Sequence, residues 1–160
     1  MNKKQSFVDA IAAHRAILFK VASLYTSDPS DREDLMQEMI YQLWKSYDSF
    51  QGKAQFSTWM YRVAMNTAIY HLKQERRKPK LLPFSHSQPE PVQSSPNPMD
   101  EQWLILQQHL QGLNLLEKSI VLLYLEQKSY KEIAEITGLS ESNVGTRLSR
   151  IKQKIQSSIS

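Results

Sequence analysis

The sequence predicts an all-α protein: two small helical domains joined by a flexible Pro-rich linker. Three observations carry that prediction. Apolar residues recur at helical spacing in both halves, with no sustained period-two alternation and no Asn-Gly or Asp-Gly hairpin signal. Six of the seven prolines fall between Pro79 and Pro98, in PKLLPFSHSQPEPVQSSPNP. Proline cannot continue a helix, and the neighbouring Ser, Gln and Asn offer little to bury. Two Ser/Asn-x-x-Glu helix starts and one glycine turn then punctuate the last third.

The first helix is expected over Phe7–Tyr25, ended by SDPSD. Ser30, with Glu33 three residues on, offers a cap for a second helix through Tyr47, with Leu35, Met39, Ile40 and Leu43 on its apolar side. The loop SFQGKAQF follows, and a long helix runs from about Ser57 to Arg77. Residues 79–100 form the tether; at about 3.1 Å per residue when extended, such a strap reaches on the order of 60 Å. In the second half, Asn114 with Glu117 opens a helix through LLEKSIVLLYLEQ. Ser129 with Glu132 opens a short one to Thr137, and Gly138 turns the chain into a helix from about Ser140. The domains are therefore set at 1–78 and 101–160.

Composition narrows the function. No cysteine is present among the 160 residues, which removes disulfide frameworks and thiolate metal sites and fits a reducing, cytoplasmic setting. No apolar run approaches a membrane span, and the N-terminus lacks a signal peptide's pattern. Net charge is +4, unevenly spread: residues 49–80 carry 7 Lys/Arg against 1 acid, and residues 81–112 carry 3 acids and no Lys/Arg. Basic clusters at the end of the first half and at the C-terminus point to a polyanion, although a solvated face has the same composition. His14, His71, His86 and His109 are scattered, and His71 with Glu75 reads as a surface pair. No phosphate loop or nucleophile elbow appears, so no enzyme, metal or cofactor is expected.

On the last helix Val144, Leu148, Ile151 and Ile155 share one stripe. Beside it lies a second, of Asn143, Thr146, Arg147, Arg150 and Lys154, with Ser142 at the entry. The preceding helix offers Tyr130, Ile133, Ala134 and Leu139 to pack, and Ala134 permits a close crossing. This is the pattern of a helix-turn-helix, whose second helix enters the major groove. Arg suits guanine, Asn suits adenine, and Lys and Thr suit phosphate. A plain helical hairpin with a basic face is the alternative. Gly145 costs about 1 kcal/mol inside a helix, and close approach of either a partner helix or DNA accounts for it.

The helix from Ser57 carries Met60, Ala64, Met65, Ala68, Ile69 and Leu72 on one side and Trp59, Arg62, Asn66, Tyr70, Lys73 and Arg77 on the other. The adjoining loop adds Phe50, Gln51, Lys53 and Phe56. Rings stack on unpaired bases, cations follow phosphates and an amide reads an edge. Taken singly such aromatics are more often part of a core, and only the co-location of these features sets the nucleic-acid reading beside that one.

The two halves together resemble the bacterial RNA polymerase sigma factors of the sigma-70 family, extracytoplasmic-function (ECF) class. DREDLMQEMIYQLWKSYDSF with GKAQFSTWMYRVAMNTAIYHLKQERR resembles that family's region 2. LNLLEKSIVLLYLEQKSYKEIAEITGLSESNVGTRLSRIKQKI resembles its region 4. The resemblance implies a region 2 bundle and a region 4 helix-turn-helix that together bind core RNA polymerase and direct it to promoter DNA for transcription initiation. It implicates Asp34, Gln37 and Glu38 in the polymerase contact. Phe50–Phe56 and the strip through Asn66 correspond to the segment that captures and melts the downstream promoter element. The Ser140–Lys154 helix corresponds to the reader of the upstream element. An anti-sigma factor is a further implied partner. The family often has an acid where Tyr70 stands and more arginine around Thr67–Leu72. A stand-alone helix-turn-helix regulator, binding duplex DNA unaided, is the alternative function; the polymerase-contact motif and the Trp59–Arg77 strip argue against it.

Overall fold

The computed structural model describes residues 2–50, 52, 54–77 and 98–159. The bulk of the strap expected at 79–100, and the site residues Gln51 and Lys53, lie outside the described residues. Among the described residues every regular element is helical. Helix α1 spans Lys3–Ala13, capped by Asn2, whose Oδ1 accepts from the Gln5 N–H at 2.8 Å. It buries Phe7 edge-on against Trp44 and Tyr47, with ring centroids 5.1 and 5.2 Å apart.

The single helix expected over 7–25 is two. The chain breaks at His14 (φ −118°, ψ 20°), whose ring Nδ1 lies 2.9 Å from the Ala10 carbonyl, and α2 resumes over Arg15–Tyr25. Helix α3 spans Pro29–Ser46 and starts earlier than expected: Asp28, not Ser30, is the cap, accepting from the Ser30 N–H at 3.3 Å. Pro29 fits the first turn, where its missing N–H costs nothing. A short 3-10 turn, Tyr47–Ser49, leads into the loop before α4, Phe56–Arg77.

Helices α2, α3 and α4 form the N-terminal bundle. Leu18, Val21 and Ala22 meet Leu35, Met39 and Leu43, and Met60, Ala64 and Ala68 close the triangle; all nine are fully buried. Each side chain of leucine size contributes roughly 1.5–3 kcal/mol on burial, so Leu43→Ala is the kind of change that would break this bundle. Ala64 and Ala68 present little side chain, which lets α4 lie close to its neighbours.

The C-terminal module consists of α5 (Pro98–Leu110), α6 (Leu115–Leu125), α7 (Tyr130–Thr137) and α8 (Glu141–Ile159). Both expected capping boxes are present, Asn114 with Glu117 and Ser129 with Glu132. Gly138 adopts φ +82° and ends α7 by donating its N–H to the Ala134 carbonyl at 2.8 Å. Helix α6 ends differently. Gln127 takes φ +63°, its N–H donating to the Tyr124 carbonyl and the Lys128 N–H to the Leu123 carbonyl, both at 3.0 Å. This is the paired pattern that satisfies the last carbonyls of a helix, usually with glycine at that position. Ile120, Leu123, Ile133, Val144, Leu148 and Ile151 make the core. Gly145 faces the Tyr130 ring, which would lie 3.4 Å from an added Cβ, so of the two explanations for it a partner helix is present.

The modules touch. Helix α6 packs on α2, and α7 on α4. Lys20 pairs with Glu126 at 2.7 Å, and Lys128 donates to the Ser57 hydroxyl at 3.2 Å while its ammonium sits 5.5 Å from the Tyr61 ring centre. The Tyr25 hydroxyl donates to the Leu115 carbonyl at 3.1 Å and bonds the Ser119 hydroxyl. Burial pushes the Tyr25 hydroxyl up to about 12, with the bond to Ser119 acting the other way. Burial, aided by the negative charge of Glu126, holds the Tyr61 hydroxyl above its usual range.

Candidate nucleic-acid interface

Helix α3 buries Leu35, Met39 and Leu43 and therefore turns Asp34, Gln37 and Glu38 outward, where all three are exposed. Glu38 accepts from the Gln42 amide at 3.1 Å, which fixes its direction. The same helix exposes Tyr41 (54%) and Trp44 (37%), with Lys45 over the former and Lys3 over the latter. Sequence reasoning misses these two rings; their spacing of four and seven from Gln37 along α3 is the available signal. Exposed aromatics bordering an acid–amide patch suit a protein partner.

Around the start of α4 the rings gather. Phe50, Phe56 and Trp59 form a cluster with centroids 5.1–5.6 Å apart. Trp59 is only 8% exposed and Thr58 is buried beside it, so Trp59 is largely core, yet its edge still lines an open cleft. That cleft, about 480 Å³, is bordered by Ser49, Phe50, Ala54, Thr58, Trp59 and Arg62, and by Glu135 from α7. A neutral hydroxyl, a ring edge and a guanidinium around a space of this size suit a nucleobase with its phosphate. One turn further on, Asn66, Thr67, Tyr70, His71 and Gln74 line a second cleft together with Glu38 and Gln42 of α3. Tyr70 is 66% exposed, and Lys73 and Arg77 continue the exposed strip toward the end of the helix. The structure thus brings Phe50, Trp59 and Arg62 to one cleft and Asn66 and Tyr70 to another, with Phe56 behind the first.

On α8, Ser140 caps the helix by accepting from the Asn143 N–H at 3.1 Å, and Ser142 lies beside it with the two hydroxyls 3.3 Å apart. Arg147 Nε donates to Asn143 Oδ1 at 3.0 Å, so these two side chains act as one preset unit. Thr146 donates its hydroxyl to the Ser142 carbonyl at 3.1 Å and keeps its acceptor side free. Arg150 is exposed. Lys154 is differently placed: its ammonium lies 2.8 Å from Glu117 at the start of α6. Burial alone would raise the Glu117 carboxyl. The bonds from Lys154 and the Asn114 N–H, with the charges of Lys154 and Arg147, overcome it and hold the group below its usual range. Among the described residues no cluster of His, Asp and Glu could hold a metal ion, and no helix is long and apolar enough to cross a membrane.

A helical bundle with an aromatic-lined cleft, followed by a helix-turn-helix with a cationic face, is the architecture expected of a two-module DNA-binding protein. Family models agree: Sigma-70 region 2 matches residues 10–78 and Sigma-70, region 4 matches residues 103–155. The ECF RNA polymerase sigma-E factor of Haemophilus influenzae is 31% identical over 157 residues, covering 88% of this chain and 82% of its own. The ECF RNA polymerase sigma factor SigG of Mycobacterium tuberculosis is 29% identical over 160 residues, covering 82% of this chain; the match spans only 42% of that relative's length. Among solved structures, the sigma factor RpoE crystallised with the anti-sigma factor NepR, from Bartonella quintana, shares the fold with a TM-score of 0.71. Identity is 18%, and 96% of each chain is covered. The chain belongs to the extracytoplasmic-function class of the sigma-70 family of sigma factors.

Proposed function

We propose that this chain binds core RNA polymerase and carries it to specific promoters, residues 1–78 capturing and melting the downstream element and residues 101–160 reading the upstream one. The observation that carries the reading is the pair of unlike DNA surfaces in one chain. The cleft of Phe50, Trp59 and Arg62, with Asn66 and Tyr70 beyond it, suits unpaired bases. The α8 face, Ser142, Asn143, Thr146, Arg147 and Arg150, suits an intact major groove. Extruding a base costs a few kcal/mol, which a stacking cleft offsets. Asp34, Gln37 and Glu38 serve as the polymerase contact. Joining two weak readers by a strap raises the effective concentration of the second once the first is bound. An anti-sigma protein is a further partner, in keeping with the complex in which the Bartonella relative was solved. The work takes place in the cytoplasm, with polymerase and DNA.

The test is promoter opening. Core polymerase from the organism that carries this chain, plus the chain, is expected to make thymines near the start sites of its transcripts reactive to permanganate. Arg62→Ala is expected to lower that reactivity while polymerase binding persists, and Arg147→Ala to reduce occupancy of the upstream duplex. Duplex binding by the chain alone, with no opening when core is added, would instead establish the stand-alone regulator.

A further inference from the structure

Asn143 and Arg147 stand one turn apart on α8, and both are half-buried. A helical side chain leans toward the helix N-terminus, so the Arg147 guanidinium lies back over Asn143, where its Nε donates to Asn143 Oδ1. Arginine has no acceptor, so the amide must turn its oxygen, and not its nitrogen, to this bond. The Glu117 carboxylate also feels the charge of Arg147, but its Oε1 accepts from the Asn114 N–H and its Oε2 from Lys154. Reading adenine takes both ends of an amide: the oxygen accepts from N6 and the nitrogen donates to N7. With Oδ1 engaged by Arg147, Asn143 offers the groove donors only. Arg147 keeps the two terminal nitrogens of its fork, and paired donors match the O6 and N7 acceptors of guanine.

We infer that Asn143 is a positioning residue that reads no base itself, and that it holds Arg147 in the pose that meets a guanine of the upstream element. The inference rests on α8 being the reader proposed above, and it replaces the adenine contact that the residue type alone suggests. An arginine has much side-chain freedom to lose when it binds. Tying Nε beforehand removes part of that loss and aims the fork at the base edge that carries two acceptors side by side. The N-terminal end of a recognition helix is the end that meets base edges, and Asn143 and Arg147 lie in the first two turns of α8.

The test loads cognate core RNA polymerase with the full chain and offers it a pool of duplexes of random sequence, from which the bound molecules are recovered and sequenced. The parent is expected to enrich guanine at one upstream position. That preference should fall about ten-fold in Asn143→Ala and in Arg147→Ala, the scale of a lost bidentate contact. It should persist in Asn143→Asp, whose carboxylate still accepts from Nε. A preference is a ratio, so the general loss of affinity that an added negative charge brings leaves it untouched. A merely structural role for Asn143 would lower capture of every sequence alike. Loss of an adenine preference in both Asn143 variants, with guanine retained, overturns the inference and makes Asn143 a reader. A parent profile without upstream guanine, or a guanine preference that survives Asn143→Ala, overturns it as well. If Arg147→Ala alters no preference, Arg147 is not a reader, and the inference falls with that part of the proposed function.

Discussion

Glu117 offers the most informative single perturbation, because stability and DNA binding should move in opposite directions. Its carboxylate is 9% accessible, accepts from the Asn114 N–H at 3.1 Å to complete the α6 capping box, and holds Lys154 at 2.8 Å. Losing a helix cap costs about 1 kcal/mol. The ion pair adds up to about 1 kcal/mol, discounted because Lys154 is 55% accessible. Glu117→Ala should therefore cost about 2 kcal/mol, or roughly 4–8 °C in Tm for a chain of this size. Glu117→Gln keeps an acceptor for the Asn114 N–H and should cost about half as much. The carboxyl's folded value is lowered, so its stabilisation is complete above the ordinary value of 4.5 and is lost as pH falls below that. Thermal melts of parent and Gln variant should thus converge in acid. Meanwhile Lys154 is released to phosphate, and the slope of log affinity against log salt for upstream duplex should steepen by about 0.9. A Gln variant as stable as the parent at neutral pH, with an unchanged acid profile, would refute this account of the pair.

Three further outcomes are expected. Gly145→Ala should raise Tm by about 2–4 °C, since helix propensity gains about 1 kcal/mol and the Tyr130 ring, 43% exposed, has room to yield; a drop in Tm would mean that the ring is pinned. The Tyr25 hydroxyl is raised to about 12, so the stability it contributes is complete below 10.0, its ordinary value, and lost as pH rises through that window. A pH-jump melt should show a smaller alkaline loss in Tyr25→Phe than in the parent, Tyr61 supplying what remains. A Gln37→Ala, Glu38→Ala double variant should compete at least ten-fold less well for core polymerase with an unchanged Tm, as both side chains are exposed; full competition would remove them from the contact.

The parts of the fold that local chemistry dictates were readable in the sequence. Asn114, Ser129 and Gly138 act within four residues of themselves, and each does what its type and spacing require. The sequence places the α3 start late because Ser30–Glu33 matches a capping box, while Asp28 followed by Pro29 is an equally good start two residues earlier. The break at His14 carries no glycine or proline, so nothing local announces it. Helix α5 was hidden because Pro98 reads as the end of a proline-rich strap, yet proline is favoured in a first turn. For the site, the strip on α4 was legible as periodicity, but Trp59's burial depends on Phe50 folding back from the loop onto it and on Phe56 at the start of the helix. Least legible was the contact between modules. Lys20 and Glu126 are 106 residues apart, and pairing at such a distance leaves no periodic trace. The engagement of Lys154 by Glu117, 37 residues away, was hidden for the same reason.

The central claim, that this chain is a polymerase-dependent initiation factor, is tested most directly by mixing the purified protein with cognate core RNA polymerase and running the mixture on a sizing column. A stable one-to-one complex, diminished by the Gln37→Ala, Glu38→Ala double variant, is the result expected. Separate elution of the two, together with tight binding of the free chain to duplex DNA, would contradict the claim and leave the acid–amide face of α3 without its partner.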